Sequence, residues 1–450
     1  MSMKSTKKKS KVTKNLKFKI KYDSKNSINL KIENLHKNQV LFNKLQSRLK
    51  ILKSLKRFLI AKKTDLINLI KSESLKTYDE SAGEFDYALE FINYSIDLIS
   101  NYKFEKTNTS KKAILLKSSG LVFAMTPYND PLAGMTRKIG PSLASGSPLI
   151  MKTSSFCINL CHYFDQYLPK DVKKFLKFAF IKDRSLIDRI VQNKEIKLLT
   201  FTGSTNIGLK LDNIKTDHLQ KKILELGGIN YAVIFDNHNL DKVIDEIIVR
   251  KIKAAGQACS SINKVFVKDK IRPEFEKILK NKMENIYCGS VNTSTQPNFG
   301  PVISKNHYNF LKDKELHSLK KGKLIARSNS HSNTDNLYPL TVVSASLNDN
   351  IFDKHETFGP LLGISYFSSN NAVFKKISTS EYSLVLYVFT KDKKIIHQTR
   401  DLNFGSIGIN TTKIQNPASP TGGNNLSGIG REGGQWGFEE FLTTVNYVIK

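Results

Sequence analysis

GLVFAMTPYNDPLAGMTRKIGPSLASGSPLIMK, residues 120–152, sets two short apolar runs, GLVFAM and PLIMK, on either side of a stretch with helical character. Runs that are apolar throughout, rather than alternating, belong to strands buried on both faces, as in a parallel sheet. The same rhythm continues with KFAFI (177–181), KLLTF (197–201), YAVIF (231–235) and KVFV (264–267), each separated from the next by a helical segment. This pattern predicts an α/β protein with parallel sheets. Upstream, Leu41, Leu45, Leu49, Leu52, Leu55 and Leu59, and then Phe85, Leu89, Ile92, Ile96 and Ile99, fall at helical spacing and predict amphipathic helices that cover a larger body. Downstream, a helix predicted over Leu240–Ala255 runs into AAGQACSS, and another strand follows at once. The strand–helix series changes near Gly227–Gly228, where a domain boundary is drawn.

The chain has 450 residues, enough for two to three domains that each bury a core. Its net charge of +31 raises nucleic acid as a partner, but the excess is mostly Lys spread along the whole chain rather than gathered in a patch, so that reading is set aside. The exception is Met1–Tyr22, with nine Lys, no acid and none of the Arg that a mitochondrial transit peptide favours. Such a block stays solvated, which predicts a disordered basic tail over residues 1–26. There is no apolar run of about 18 residues and no signal-peptide pattern, so the expectation is a soluble cytoplasmic protein without membrane contact. Four scattered cysteines fit a reducing compartment, and Cys157 with Cys161, four apart, fill a helix face rather than hold a metal.

Several short stretches could carry chemistry. In AGQACSS, Cys259 stands between a glycine and a serine pair, the setting of a partly exposed nucleophile rather than of a core thiol. In LELGG, Glu225 ends an apolar strand, where desolvation would make its carboxylate basic enough to take a proton from water. In TPYND, Asn129 follows a buried strand and can point an amide N–H at a developing oxyanion. FTGSTNIG, residues 201–208, reads as strand, Gly/Ser turn and helix start, which can cradle a pyrophosphate, although it is not a G-x-G-x-x-G fingerprint. Taken singly, each also has a plain structural reading: a small residue after a helix, an ion-paired Glu, a turn Asn.

Taken together and in order, TPYNDP with TRKIGPSLASGSPLIMK, FTGST, LELGG, GQAC, HETFGP and GREGGQWGFEEF resemble the aldehyde dehydrogenase superfamily over residues 40–450. The resemblance implies a Rossmann-like cofactor domain at 27–227 with an oligomerisation arm at about 100–118. It further implies an α/β catalytic domain at 228–425 and a C-terminal segment, 426–450, that supplies a strand to the arm, hence a homodimer or homotetramer. It implies Cys259 as nucleophile, Asn129 and the Cys259 amide as oxyanion hole, and Glu225 as the base for hydrolysis. Lys152 and Ser155 would meet the adenosine ribose, Gly203 and Ser204 the pyrophosphate, and Glu356 and Phe358 the nicotinamide riboside. Within the family, TRK and HETFGP look most like the succinate-semialdehyde branch, which implies Arg137 and Lys253 as substrate-carboxylate ligands, with a helix-surface role as the alternative for Lys253, while TPYNDP resembles branches acting on small oxygenated or phosphonate-bearing aldehydes. Ser155 stands where NAD-preferring members often carry Glu, which points to NADP or dual use.

The sequence departs from the family pattern in three places. The usual N-terminal strands are replaced by the basic tail and IKYDSKNSINLKI, Lys182-Asp183-Arg184 replaces a turn containing glycine, and Lys264 stands where the family has Arg. Two other functions are weighed. A coenzyme A-acylating relative would tend to lack the hydrolytic Glu, which LELGG retains. A silent basic binding protein on the same fold would have no need of Asn129, Glu225 and Cys259 together.

Overall fold

The structure is a computed structural model that describes residues 17–109, 112–292, 297–331 and 336–450. Its first large sheet contains the strands Leu176–Phe178, Leu149–Lys152, Leu121–Met125, Ile196–Thr202 and Lys221–Glu225 in that spatial order, all parallel. Gly428–Ile429 adds a sixth, antiparallel strand beside Lys221–Glu225. The second sheet runs Leu324–Arg327, Thr341–Ser344, Leu361–Phe367, Ile262–Lys268, Asn230–Ile234, Val385–Phe389 and Ser406–Ile409, parallel except at its first pair. Every residue of Leu121–Met125, Asn230–Ile234 and Val385–Phe389 is buried, as fully apolar runs require when helices cover both faces. Two mostly parallel sheets make this an α/β protein, as the apolar runs predicted.

The helices Leu45–Ala61, Lys63–Ser74, Tyr78–Asn101 and Pro131–Ser145 share one core that includes Leu55, Ile70, Ile92, Leu132 and Ile139. Glu105–Thr109, Lys112–Ser118 and Leu442–Val448 form a separate three-stranded antiparallel sheet, which draws the two chain regions of the expected arm together. The C-terminal segment therefore joins two sheets, since Gly428–Ile429 also pairs with the first large sheet.

The expected disordered tail needs correction. Residues 1–16 lie outside the described residues, but 17–26 are packed. The Phe18 N–H donates to Asn159 Oδ1 at 3.1 Å and its ring stacks on His162 at 4.8 Å. Asp23 accepts from the Phe180 N–H at 2.8 Å and pairs with Lys31 at 2.7 Å, and Ser24 caps a helix over Lys25–Gln39. The Lys count masked two things: apolar Phe18 and Ile20, which pack on the core, and a helix whose buried Ile28, Ile32 and Leu35 recur at helical spacing. The helix predicted to Ala255 stops at Ile252, and a turn over Lys253–Gly256 follows. No described helix is long and apolar enough to cross a membrane, and no metal-binding group of His, Cys, Asp and Glu occurs among the described residues.

Candidate active site

Glu225 is the last residue of its strand, Asn129 lies in the turn after Leu121–Met125, and Cys259 stands just before Ile262–Lys268. The three come from both sheets. Asn230 fixes the nucleophile's loop: its amide donates to the carbonyls of Cys259 (2.6 Å) and Ser261 (2.8 Å) and accepts from the Val385 N–H (3.0 Å). The turn that brings the chain there is strained, because Ala254 (φ 51°), Ala255 (φ 54°) and Gly256 (φ 73°) are left-handed in succession. A left-handed L-residue costs roughly 1–2 kcal/mol, and strain of this kind persists only where the surroundings impose it. Glycine is required at the third position, since a Cβ on Gly256 would lie 2.5 Å from the Gly359 carbonyl.

Cys259 and Glu225 line one cavity together with Ile414, Gln415 and Thr421. Cys259 is half-buried, whereas Glu225 is buried and neither of its carboxylate oxygens has a well-formed hydrogen bond among the described residues, although the Cys259 thiol is close enough to act on the carboxyl. Burial, and then the like charge of Glu432, push the Glu225 carboxyl up to about 7, against the pull of Arg137 and Lys138. Burial and then Glu225 raise the Cys259 thiol well above its usual value, so at rest it keeps its proton, beside a carboxyl that can take one up. Asn129 is buried and makes no side-chain hydrogen bond among the described residues, which leaves its amide free. Beside it, the Tyr128 hydroxyl donates to Gln257 Oε1 at 3.1 Å, so the Asn129 and Cys259 loops are in direct contact.

Two residues to which the motifs assigned no role stand behind Glu225. Lys138 Nζ donates to a Glu432 oxygen and to Thr200 Oγ1 (2.8 Å), while Thr202 Oγ1 donates to the same Glu432 oxygen (3.0 Å). Lys138 lies in the TRK run and Glu432 in GREGG, so both were in view. The available signal was a charged residue inside an otherwise apolar or glycine-rich stretch.

Arg137 is buried, with its guanidinium over Phe91 (5.2 Å) and Tyr87 (5.9 Å). Its Nη1 is 3.7 Å from Glu432, and its Nε and Nη2 have no partner. Lys253 is exposed and makes no hydrogen bond or ion pair among the described residues; its charge reaches only as far as Asp130. The structure thus separates the two residues paired by the resemblance: Arg137 is buried against a neighbouring cavity lined by Phe91, Pro417 and Gly433, from which its charge reaches Glu225 and Cys259, while Lys253 is exposed.

Of the residues that the resemblance implied for a dinucleotide, the Gly203–Thr205 turn and Glu356 come together around Gly227. Gly203 bends the chain into the helix Thr205–Asp212, and Ser204, at its N-cap, has its hydroxyl free. The first amides of that helix point outward, as an anion site requires. Glu356 accepts from the Gly228 N–H at 3.3 Å, and burial raises its carboxyl to about 8. A Cβ on Gly227 would fall 2.6 Å from Glu356 Oε2, so the bare glycine is what lets that carboxylate in. Phe358 holds a left-handed backbone (φ 43°), and its carbonyl bonds to His307 Nε2 at 2.7 Å. Lys152 is half-buried at the end of its strand, and its ammonium is depressed by burial and then by the charge of Arg184. Ser155 is exposed beside it. Helix amides, a glycine cradle, a half-buried carboxyl and a lysine suit the phosphates and riboses of NAD or NADP.

Fold and site together fit a dinucleotide-dependent enzyme, with a half-buried cysteine and a buried carboxylate on one cavity. The aldehyde dehydrogenase family model matches residues 3–447, and the chain belongs to that family. It is an NAD(P)-dependent oxidoreductase that acts on aldehydes. It is 28% identical over 406 residues to succinate-semialdehyde dehydrogenase [NADP(+)] of Escherichia coli K12, covering 88% of this chain and 84% of that one. Over 414 residues it is 27% identical to 3-sulfolactaldehyde dehydrogenase of Pseudomonas putida, covering 90% and 84%. An aldehyde dehydrogenase structure from Brucella melitensis superposes with a TM-score of 0.88 at 26% identity, covering 95% of this chain and 91% of that one.

Proposed function

We propose that the chain oxidises a small anionic aldehyde to its acid through a thiohemiacetal and then a thioester on Cys259, with Glu225 as base. The observation that carries this reading is Glu225 itself, a buried carboxylate with no well-formed hydrogen bond among the described residues that lines the same cavity as the only half-exposed cysteine. Glu225 takes the Cys259 proton, and the sulfur attacks the aldehyde carbon. The Asn129 amide and the Cys259 N–H hold the resulting oxyanion, at about 3 kcal/mol per donor in comparable sites. NAD(P), when bound, accepts the hydride that the thiohemiacetal loses. Glu225, its proton passed on to solvent, then takes one from a water that attacks the thioester, the C–S bond breaks, and the acid leaves.

Within this reading, Lys152 and Ser155 meet the adenosine ribose, Gly203 and Ser204 the pyrophosphate, and Glu356 and Phe358 the nicotinamide riboside. Arg137, with two unpartnered donor groups, is the anchor for a substrate anion, and the names of the semialdehyde and sulfolactaldehyde relatives agree with a negatively charged substrate. Lys253 has at most an outer role. The three-stranded sheet is the oligomerisation arm of a homodimer or homotetramer, and the four free cysteines accord with a cytoplasmic location.

The test is acid production from succinate semialdehyde with NADP and with NAD, in the absence of coenzyme A, for wild type, Cys259→Ser and Glu225→Gln. Cys259→Ser should be inactive while still binding cofactor, and Glu225→Gln should turn over less than a hundredth as fast. More than trace turnover by the serine variant would overturn the reading.

A further inference from the structure

Residues 74–84, which run from the last residue of the helix Lys63–Ser74 through a short turn into the first two turns of the helix Tyr78–Asn101, are distant in sequence from every motif quoted above and touch the loops of both Asn129 and Cys259. The Ser74 hydroxyl donates to the Tyr128 carbonyl at 3.0 Å. Lys76, buried, bonds to Asp130 at 2.9 Å and to Glu84 at 2.7 Å. The other Glu84 oxygen accepts from the N–H groups of Leu132 (2.8 Å) and Ala133 (3.2 Å), so it caps the helix that begins at Pro131 in place of Asp130, whose side chain makes no cap. Glu80 faces the other way. One of its oxygens closes the capping box with Thr77 (2.9 Å), and the second accepts from the N–H of Ala254 at 2.7 Å.

These anchors are not spread over the molecule. Tyr128, Asp130, Leu132 and Ala133 flank Asn129, and Ala254 opens the left-handed turn that leads to Cys259. A left-handed Ala–Ala–Gly turn does not hold itself, because its first N–H has no partner within a helix. Glu80 supplies that partner, and the same short segment fixes the other loop through Lys76 and Glu84. We infer that the Ser74–Glu84 segment is a brace that sets the position of the Cys259 sulfur against the Asn129 amide, and that Glu80 is a positioning residue for the reaction. This rests on the roles proposed above for Asn129 and Cys259.

A carboxylate that only stabilised the fold would, when removed, lower the melting temperature and leave the surviving enzyme normal. A positioning residue acts on kcat, because a displaced oxyanion hole costs more in the transition state than in the ground state. The experiment compares Glu80→Ala and Glu80→Gln with wild type in steady-state kinetics, thermal melting and the rate of Cys259 alkylation by iodoacetamide. Cys259→Ser and Asn129→Ala serve as controls. The glutamine keeps an oxygen that can accept from Ala254. The expected result is a kcat at least tenfold lower in Glu80→Ala, with unchanged KM for cofactor, an altered alkylation rate, and recovery of most of the kcat in Glu80→Gln. A Glu80→Ala enzyme within twofold of wild-type kcat overturns the inference, as does loss in both variants that follows melting temperature alone. If the controls are inactive while Glu80→Ala is normal, the brace fails and the site reading stands. If the controls are active, the site reading itself fails.

Discussion

Lys138 and Glu432 form a buried ion pair, completed by Thr200 and Thr202, and both charges of the pair reach Glu225. The negative member outweighs the positive one at Glu225, which adds to burial and holds that carboxyl at about 7. Below that value Glu225 carries a proton and cannot accept another, so kcat should rise with pH through a limb near 7. Glu432→Gln removes the like charge and leaves Lys138 in place. Loss of the like charge favours the carboxylate, so the limb should move to lower pH by at least half a unit. The pH profile of kcat checks this, and a limb that stays or moves upward is the contrary outcome. The variant should also be less stable, by about 3–5 kcal/mol, because a buried cation loses its partner.

Gly227 should matter to the cofactor more than to the fold. The nearest atoms to a Cβ there are side-chain ends: Glu356 Oε2 at 2.6 Å, Thr205 Oγ1 at 3.1 Å and Glu356 Cδ at 3.4 Å. Flexible side-chain ends can move aside, so Gly227→Ala should fold with a melting temperature near that of wild type. Glu356, however, would be displaced from the position in which Gly228 N–H holds it. The KM for NAD(P) should rise several-fold, and titration of cofactor fluorescence would show whether it does.

Much of this was legible in the sequence because the informative residues are local. An apolar run such as 121–125 can only be a doubly buried strand in a chain of this kind, and TPYND, LELGG and GQAC each place one side chain at a strand end. What could not be read was long-range pairing. Nothing near Glu80 in sequence announces Ala254, 174 residues away, and nothing near Lys138 announces Glu432, 294 residues away. The ordering of 17–26 was hidden for a different reason, since a high Lys count speaks for solvation while two apolar side chains and one Asp decide the docking.

Arg137→Ala tests whether the substrate is an anion. Two of the donor groups of this guanidinium have no partner, and hydrogen bonds to charged groups are worth about 1.5–3 kcal/mol. The KM for succinate semialdehyde should therefore rise by roughly tenfold to a hundredfold, while that for butanal, a neutral aldehyde of similar length, should change by less than about threefold. Equal effects on the two substrates would reduce Arg137 to a partner of Glu432, from which it stands 3.7 Å away. Lys253→Ala should leave both constants close to wild type, because that side chain is exposed and makes no polar contact among the described residues.

Cofactor choice turns on Ser155. A carboxylate at this position would accept hydrogen bonds from the ribose hydroxyls of NAD and repel the 2′-phosphate of NADP. The chain has instead an exposed serine, next to a Lys152 ammonium that already feels the charge of Arg184. Two cations and a hydroxyl favour a phosphate dianion, and charge-assisted bonds are the stronger kind. The exposure of Ser155 limits the effect, since solvent and salt screen charges at a surface. Wild type should therefore use NADP at least as well as NAD rather than exclude NAD. Ser155→Glu should shift the ratio of kcat/KM values toward NAD by about tenfold, which is about 1.4 kcal/mol, and the shift should shrink at high ionic strength. Measurement of both cofactors with one aldehyde, in both enzymes and at two salt concentrations, decides the matter. A wild type that strongly prefers NAD, or a glutamate variant whose ratio does not move, would assign the selectivity to another wall of the site.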